Sequence, residues 1–354
     1  MGRIVELRSD TFTLPTDSMR RAMANAELGD DVWDEDPTIH RLQERAAEMV
    51  GKEAALFVPS GTMGNLCALL AHAKPGEEVI VEIDSHIFQN EVAAGAVVGG
   101  LQLRPLESSD GRLDPHAVRA AIRPPDIHQP RTGLLCLENT HNLKGGTCLS
   151  PKQTATLSDL AHQSGFPVHL DGARVFNSAV AQGVDVRELT RPVDSVMFCL
   201  SKGLSAPVGS MLAGSAGFVA QARRMRKMLG GGMRQAGVLA AAGLVALNEM
   251  VDRLAEDHAN ARRLAEGLQT VSGIDIDLDR VETNLIFGNC EPPLTAVDFV
   301  RLCREVGVLL DQTSAYRWRM VTHRGVTADD VDYAIGAVRS AMGADQPAPV
   351  RVAG

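Results

Sequence analysis

The sequence predicts an α/β protein built on a mainly parallel sheet, followed by a smaller α+β domain. Three observations carry this. Short apolar runs at 54–60, 78–83, 132–139, 167–172, 195–201 and 209–214 mostly lack in/out alternation, as strands covered on both faces do. Helical patterns at 63–73, 115–121 and 151–164 fall between them, the alternation expected of βαβ units. After Gly230, Gly231 and Gly232 the pattern changes: helical stretches at 236–250 and 252–271 precede strand-like runs at 283–288, 308–311 and 318–322 and helices at 296–306 and 327–342.

Individual elements have local causes. The 151–164 helix opens with Ser150 and Pro151, a capping hydroxyl followed by proline at the first helical position. The apolar positions of the helix from Ala236 read as core packing. There is no internal repeat and no low-complexity segment. At 354 residues the chain exceeds the usual single-domain size, so its length favours two domains or one large α/β unit with an appendage.

Composition narrows the function classes. Apolar residues make up 45% and charged residues 22%, as in an ordinary globular protein. A formal charge of −9 argues against a nucleic-acid partner, and the one basic cluster is Arg223, Arg224, Arg226 and Lys227. The six cysteines, at 67, 136, 148, 199, 290 and 303, include no C-x-x-C pair and no zinc-like spacing, which suits a reducing compartment and predicts no metal. Charges occupy the N-terminus where a secretory segment would be apolar, and runs such as 236–247 are too short for a membrane span. The expected location is cytoplasmic, with no membrane partner.

Three strand ends carry chemistry. The run ending at Val58 leads into Ser60, Gly61 and Thr62 and then a helix, so backbone N–H groups and hydroxyls would face an anion such as phosphate; the same triplet also suits a plain capped turn. A second run ends at Asp171, where open α/β sheets collect ligands, although an aspartate there can equally cap the next helix. A third ends at Ser201 and Lys202, and a lone lysine in that position is commonly solvated. Together they are the parts that hold pyridoxal 5'-phosphate: a phosphate cradle, an acid for the ring nitrogen and an amine for a Schiff base.

Longer motifs extend this set. LRSDT at 7–11, GDDVWDEDPT at 29–38, GKEAALFVPSGTMGN at 51–65, LENTHN at 137–142, HLDGARVFN at 169–177, LSKGLSAPVGS at 200–210, RKMLGGGMRQAG at 226–237 and RMVTH at 319–323 occur in that order. In these motifs the chain resembles the L-threonine aldolase family, of the low-specificity type, over nearly its whole length. The resemblance implies PLP fold type I, with a mainly parallel seven-stranded sheet between helices, and cleavage of L-threonine, L-allo-threonine and related β-hydroxy-α-amino acids to glycine and an aldehyde. It implies an N-terminal segment at 1–30 that contributes to the active site, a large domain at 31–250, a small domain at 251–342 and a flexible tail at 343–354.

Carried over residue by residue, the likeness makes Lys202 the Schiff-base lysine and Asp171 the partner of the ring nitrogen. Ser60, Gly61 and Thr62 would bind the phosphate, Arg174 would approach the ring oxygen or the substrate, and His86 would lie on the ring face. Ser9 and Arg319 would grip the substrate carboxylate. His128 resembles a histidine near the substrate hydroxyl, so the base is His86, His128 or a water between them. Lys227 and Arg234 look like residues that reach a neighbouring subunit's cofactor, within a homotetramer built as a dimer of dimers.

Departures mark where this chain differs. Trp33 stands where the family commonly has a tyrosine near the substrate, and offers an N–H donor on a larger apolar face. Ser205 replaces a usual glycine, and Leu143, Gly145 and Gly146 alter the run after LENTHN. The rival reading is another fold type I enzyme, a β-eliminating lyase or a racemase. A non-catalytic binding module is disfavoured by the joint presence of Lys202, Asp171 and the Ser-Gly-Thr triplet.

Overall fold

The computed structural model describes residues 2–343. Of the tail expected at 343–354, residues 344–354 lie outside the described residues. Two compact units emerge, one spanning Thr13–Ala255 and the other joining residues 2–12 to 256–343.

The larger unit holds a seven-stranded sheet in the order Ala54–Val58, Ser210–Gly214, Ser195–Cys199, Val168–Asp171, Thr132–Glu138, Glu78–Glu82, Gln102–Leu106. From Ser195–Cys199 to Gln102–Leu106 every neighbouring pair is parallel, and Ser210–Gly214 runs antiparallel to both its neighbours. The inner strands are buried at every position, which is why their sequences run apolar without alternation. Gln102–Leu106 is the half-exposed edge, where Pro105 can lack an N–H without breaking an inner ladder.

Helix starts follow local chemistry. Ser60 caps Gly61–His72 by accepting from the Met63 N–H, so this helix begins two residues before the expected 63. Ser150 and Gln153 close a capping box on Pro151–Gln163. Among the described residues no helix is long and apolar enough to cross a membrane.

The second unit has its own core. A four-stranded antiparallel sheet runs Asp311–Gln312, Arg317–Val321, Leu285–Cys290, Ile274–Asp275, and Trp318, fully buried, packs against Phe299. Residues 2–12 group here because Val5–Glu6 pairs in parallel with Val308–Leu309.

The hairpin that carries Lys202 is tightly specified. Its return residue Gly209 has φ +103°, and a Cβ there would lie 2.4 Å from the Phe57 ring. Ser205, where glycine is usual in the family it resembles, is fully buried at φ 65°, the left-handed region that costs an L-residue about 1–2 kcal/mol. Glycine gives back about 0.5–1 kcal/mol in unfolded-chain entropy. Ser205→Gly is therefore expected to stabilise the protein by about 0.5–1 kcal/mol, read from denaturant midpoints; a destabilised variant would mean that the buried hydroxyl outweighs the backbone strain.

Candidate active site

Four adjacent parallel strands deliver their carboxyl ends to one edge of the sheet, where ligands of open α/β sheets bind. Beyond Glu78–Glu82 comes His86, beyond Thr132–Glu138 comes Asn142, Val168–Asp171 ends on Asp171 with Arg174 just after, and Ser195–Cys199 leads to Lys202. The Glu138 carboxylate ties two of these segments together by accepting from the backbone N–H groups of His86 at 2.6 Å and Asn142 at 2.8 Å. Asn142 Oδ1 in turn accepts from Arg174 Nη1 at 3.2 Å.

Asp171 is 2% exposed. Its Oδ1 accepts from the Ala173 N–H at 3.1 Å and its Oδ2 from Asn65 Nδ2 at 2.8 Å. The same Asn65 nitrogen donates to Glu91 Oε1 at 2.8 Å, the oxygen that also meets His86 Nδ1 at 2.8 Å. Burial pulls His86 toward neutrality, but the Glu91 hydrogen bond and the charges of Asp171 and Glu91 outweigh it and leave its pKa raised, with Lys202 opposing them. Burial, reinforced by the like charge of Asp171, raises the Glu91 carboxyl in spite of its hydrogen bonds to His86 and Asn65.

Behind Asn65 a second chain runs into the core. Asn65 Oδ1 lies 3.1 Å from His169 Nε2, His169 Nδ1 lies 2.8 Å from Ser195 Oγ, and Ser195 Oγ lies 2.8 Å from His72 Nε2. His72 stacks on Phe218 with ring centroids 4.4 Å apart. Burial holds His72 down at about 4, and burial plus the neighbouring His72 hold His169 down at about 3.

Lys202 is anchored through its backbone. Its carbonyl accepts from Thr13 Oγ1 and from the Ser205 N–H, each at 2.9 Å. The phosphate candidates Ser60, Gly61 and Thr62 sit at the N-terminus of Gly61–His72, with Ser60 and Thr62 exposed. A Cβ on Gly61 would lie 3.1 Å from Cys199 Sγ and 3.2 Å from Met197 Cε, so the helix start packs tightly on the strand Ser195–Cys199. These features fit pyridoxal phosphate: open helix N–H groups for the phosphate, a buried hydrogen-bonded carboxylate for a cationic ring nitrogen, and an amine at the neighbouring strand end. Among the described residues one acid–histidine trio, His86, Glu91 and Asp171, has potential ligand atoms within 4.8 Å of one another. The Asn65 amide hydrogens point at both carboxylates, so its geometry is that of a hydrogen-bond network rather than a cation cage.

Other expected residues stand apart. His128 is exposed, four residues before the strand Thr132–Glu138 begins, at the edge of the sheet opposite Lys202. Its backbone N–H donates to Asp126 Oδ1 at 2.8 Å. Trp33, 72% exposed, and Arg234 meet on Asp30, which accepts from the Trp33 backbone N–H and pairs with the Arg234 guanidinium at 3.1 Å. Lys227 is also exposed and runs over Gly232. In the second unit Arg319 Nη2 donates to the carbonyl of Arg8 at 3.1 Å and pairs with Asp311 at 3.3 Å, which sets it beside Ser9 in the chain. Ser9 Oγ accepts from the Thr11 hydroxyl at 2.9 Å.

Fold and site define a pyridoxal-phosphate enzyme of fold type I. Residues 6–291 match the family described as beta-eliminating lyase. The chain is 48% identical to low-specificity L-threonine aldolase 1 of Arabidopsis thaliana, covering 96% of this chain and 97% of that protein. It is 46% identical to the low specificity L-threonine aldolase of Escherichia coli strain K12, over 80% and 84% of the two chains. The solved threonine aldolase of Leishmania major shares the fold with a TM-score of 0.82 at 18% identity, covering 95% of this chain and 99% of that one. The chain belongs to the beta-eliminating lyase family and, within it, to the threonine aldolases.

Neutral buried histidines make the fold acid-sensitive. Above about pH 6.5 the unfolded imidazoles are neutral too and the stability is complete. It is lost as the pH falls toward about 4 for His72 and about 3 for His169, because the unfolded chain takes up protons that the native fold refuses. Denaturant midpoints are expected to drop between about pH 7 and about pH 5, and to drop less in His169→Gln; an equal drop in both proteins would mean that His169 is protonated in the native state.

Proposed function

We propose that the chain cleaves L-threonine, L-allo-threonine and related L-β-hydroxy-α-amino acids to glycine and an aldehyde, reversibly, with pyridoxal 5'-phosphate held by Lys202. The observation that carries this reading is the meeting of Lys202, Asp171 and His86 at neighbouring strand ends in a chain 46–48% identical to proteins named low-specificity threonine aldolases. When bound, the cofactor supplies the electron sink for the bond pair released at Cα.

The chain's own groups do the rest. Asp171, buried, would face the ring nitrogen, and Ser60, Gly61 and Thr62 would hold the phosphate. Ser9 and Arg319 would grip the substrate carboxylate and Arg174 would orient the amino acid, so that the bond to be broken is held in one position. His86, held at Nδ1 by Glu91, keeps Nε2 for the β-hydroxyl proton. As that proton leaves, the carbonyl of the aldehyde forms, the Cα–Cβ bond breaks and Cα later receives a proton to give glycine.

Lys227 and Arg234 act in this reading on the site of a neighbouring subunit within a homotetramer, a dimer of dimers, and their exposure supports it; His128 and Trp33 act near the substrate. The buried free thiols of Cys67, Cys136, Cys199, Cys290 and Cys303 support a cytoplasmic location. A β-eliminating or racemising reaction is less favoured, because the similar relatives are named for aldol cleavage.

The reading is tested with L-threonine, L-allo-threonine and phenylserine, each assayed for aldehyde and glycine; keto acid with ammonia, or a D-amino acid, in place of those products would refute it. Lys202→Ala should lose both the visible absorbance of lysine-bound cofactor and the activity, and a coloured, active variant would count against the assignment. Arg319→Ala should cost about 2–5 kcal/mol in kcat/KM, mostly through KM; unchanged kinetics would remove Arg319 from the substrate site.

A further inference from the structure

Asn65 lies three residues past the phosphate cradle, fully buried, and spends all its polar capacity on the site. Its two N–H bonds go to two different carboxylates, Asp171 and Glu91. A carboxylate that accepts from it fixes the amide's direction: nitrogen forward, oxygen back. The oxygen then needs a donor, and His169 Nε2 is the group that faces it.

From there each proton position follows from the last. His169 is fully buried and stays neutral, so with a proton on Nε2 its Nδ1 must accept, and Ser195 Oγ–H is the donor. The Ser195 oxygen accepts in turn from His72 Nε2, whose ring is clamped against Phe218. A single sequence of donors therefore runs His72, Ser195, His169, Asn65 and splits at the end onto Asp171 and Glu91. With the amide reversed, its oxygen would face two acidic groups.

We propose that Asn65 is a positioning residue that holds the ring-facing Asp171 and the Glu91–His86 pair in one hydrogen-bonded unit, oriented from behind by His169, Ser195 and His72. This rests on the proposed cofactor chemistry of Asp171 and Lys202. Asn65 acts through Asp171 on cofactor affinity and through Glu91 on the tautomer of His86, so one residue governs both the electron sink and the base. Groups that face this unit are Lys202, Asp194 beside His72, and Cys136, whose thiol is buried against Asp171 and Glu91.

The test uses the holoenzyme and compares Asn65→Leu, Asn65→Asp, His169→Leu and His169→Gln. Readouts are the cofactor dissociation constant and the pH midpoint of the bound cofactor's absorbance change. Asn65→Leu, and Asn65→Asp should the leucine variant not fold, are expected to weaken cofactor binding about 10- to 100-fold, by analogy with the loss of an outer-shell hydrogen bond at a metal site. Both should move the absorbance midpoint by about one pH unit. His169→Leu should show part of both effects, whereas His169→Gln, which can still donate to Asn65 Oδ1, should stay near the parent protein. A parent-like dissociation constant and midpoint in a folded Asn65 variant would overturn the proposal, as would equal behaviour of the two His169 variants. If the parent protein itself gives no borohydride-trapped adduct at Lys202, the functional reading fails instead; if it does and the variants match it, only the network fails.

Discussion

A carboxylate buried at a strand end is the constraint on which the site depends. Asp171 is nearly inaccessible to water, and an unpartnered carboxylate there would cost several kcal/mol or take up a proton. A backbone N–H and the Asn65 amide meet it there from two sides. That requirement brings the helix Gly61–His72 over the sheet with Asn65 pointing inward, and the same placement sets the helix N-terminus where a phosphate can sit. One buried charge thus fixes the relative places of the acid, the cradle and, through Glu91, the imidazole of His86.

The sheet does the remaining work by topology. Because its inner strands are parallel, side chains separated by more than a hundred residues arrive at one edge without any long loop to carry them. The antiparallel strand Ser210–Gly214 ends the pattern and sends the chain straight back from the lysine segment.

Much of this was legible in the sequence, for identifiable reasons. Strands buried on both faces print as apolar runs, and Ser60, Asp171 and Lys202 stand directly after such runs. Ser150 and Pro151 announced their helix. The strand Gln102–Leu106 is hidden in the sequence because it is a half-exposed edge with a proline, and the helices Asp17–Ala24 and Pro37–Val50 because their caps at Thr16 and Asp36 lie within polar stretches. Asn65, Glu91, His169 and His72 could not be found from spacing, since their bonds join residues as far as 123 apart and each alone reads as an ordinary polar residue in an apolar stretch. The one signal was polarity itself: His169 and Ser195 interrupt strands that are otherwise apolar. His128 shows the converse limit, a motif residue that one chain leaves at the far edge of its own sheet.

The anchoring of Lys202 has a bearing on turnover. Its carbonyl is tied to Thr13 and to the turn at Ser205, so its peptide stays put whatever its amine is bonded to. In the proposed reaction, releasing the amine to an incoming amino acid and recapturing it afterwards would take only rotation about the four-carbon arm, a motion of side-chain rotamers rather than of loops. The arm can swing out and return to the same spot in every cycle, with no part of the scaffold having to refold around it.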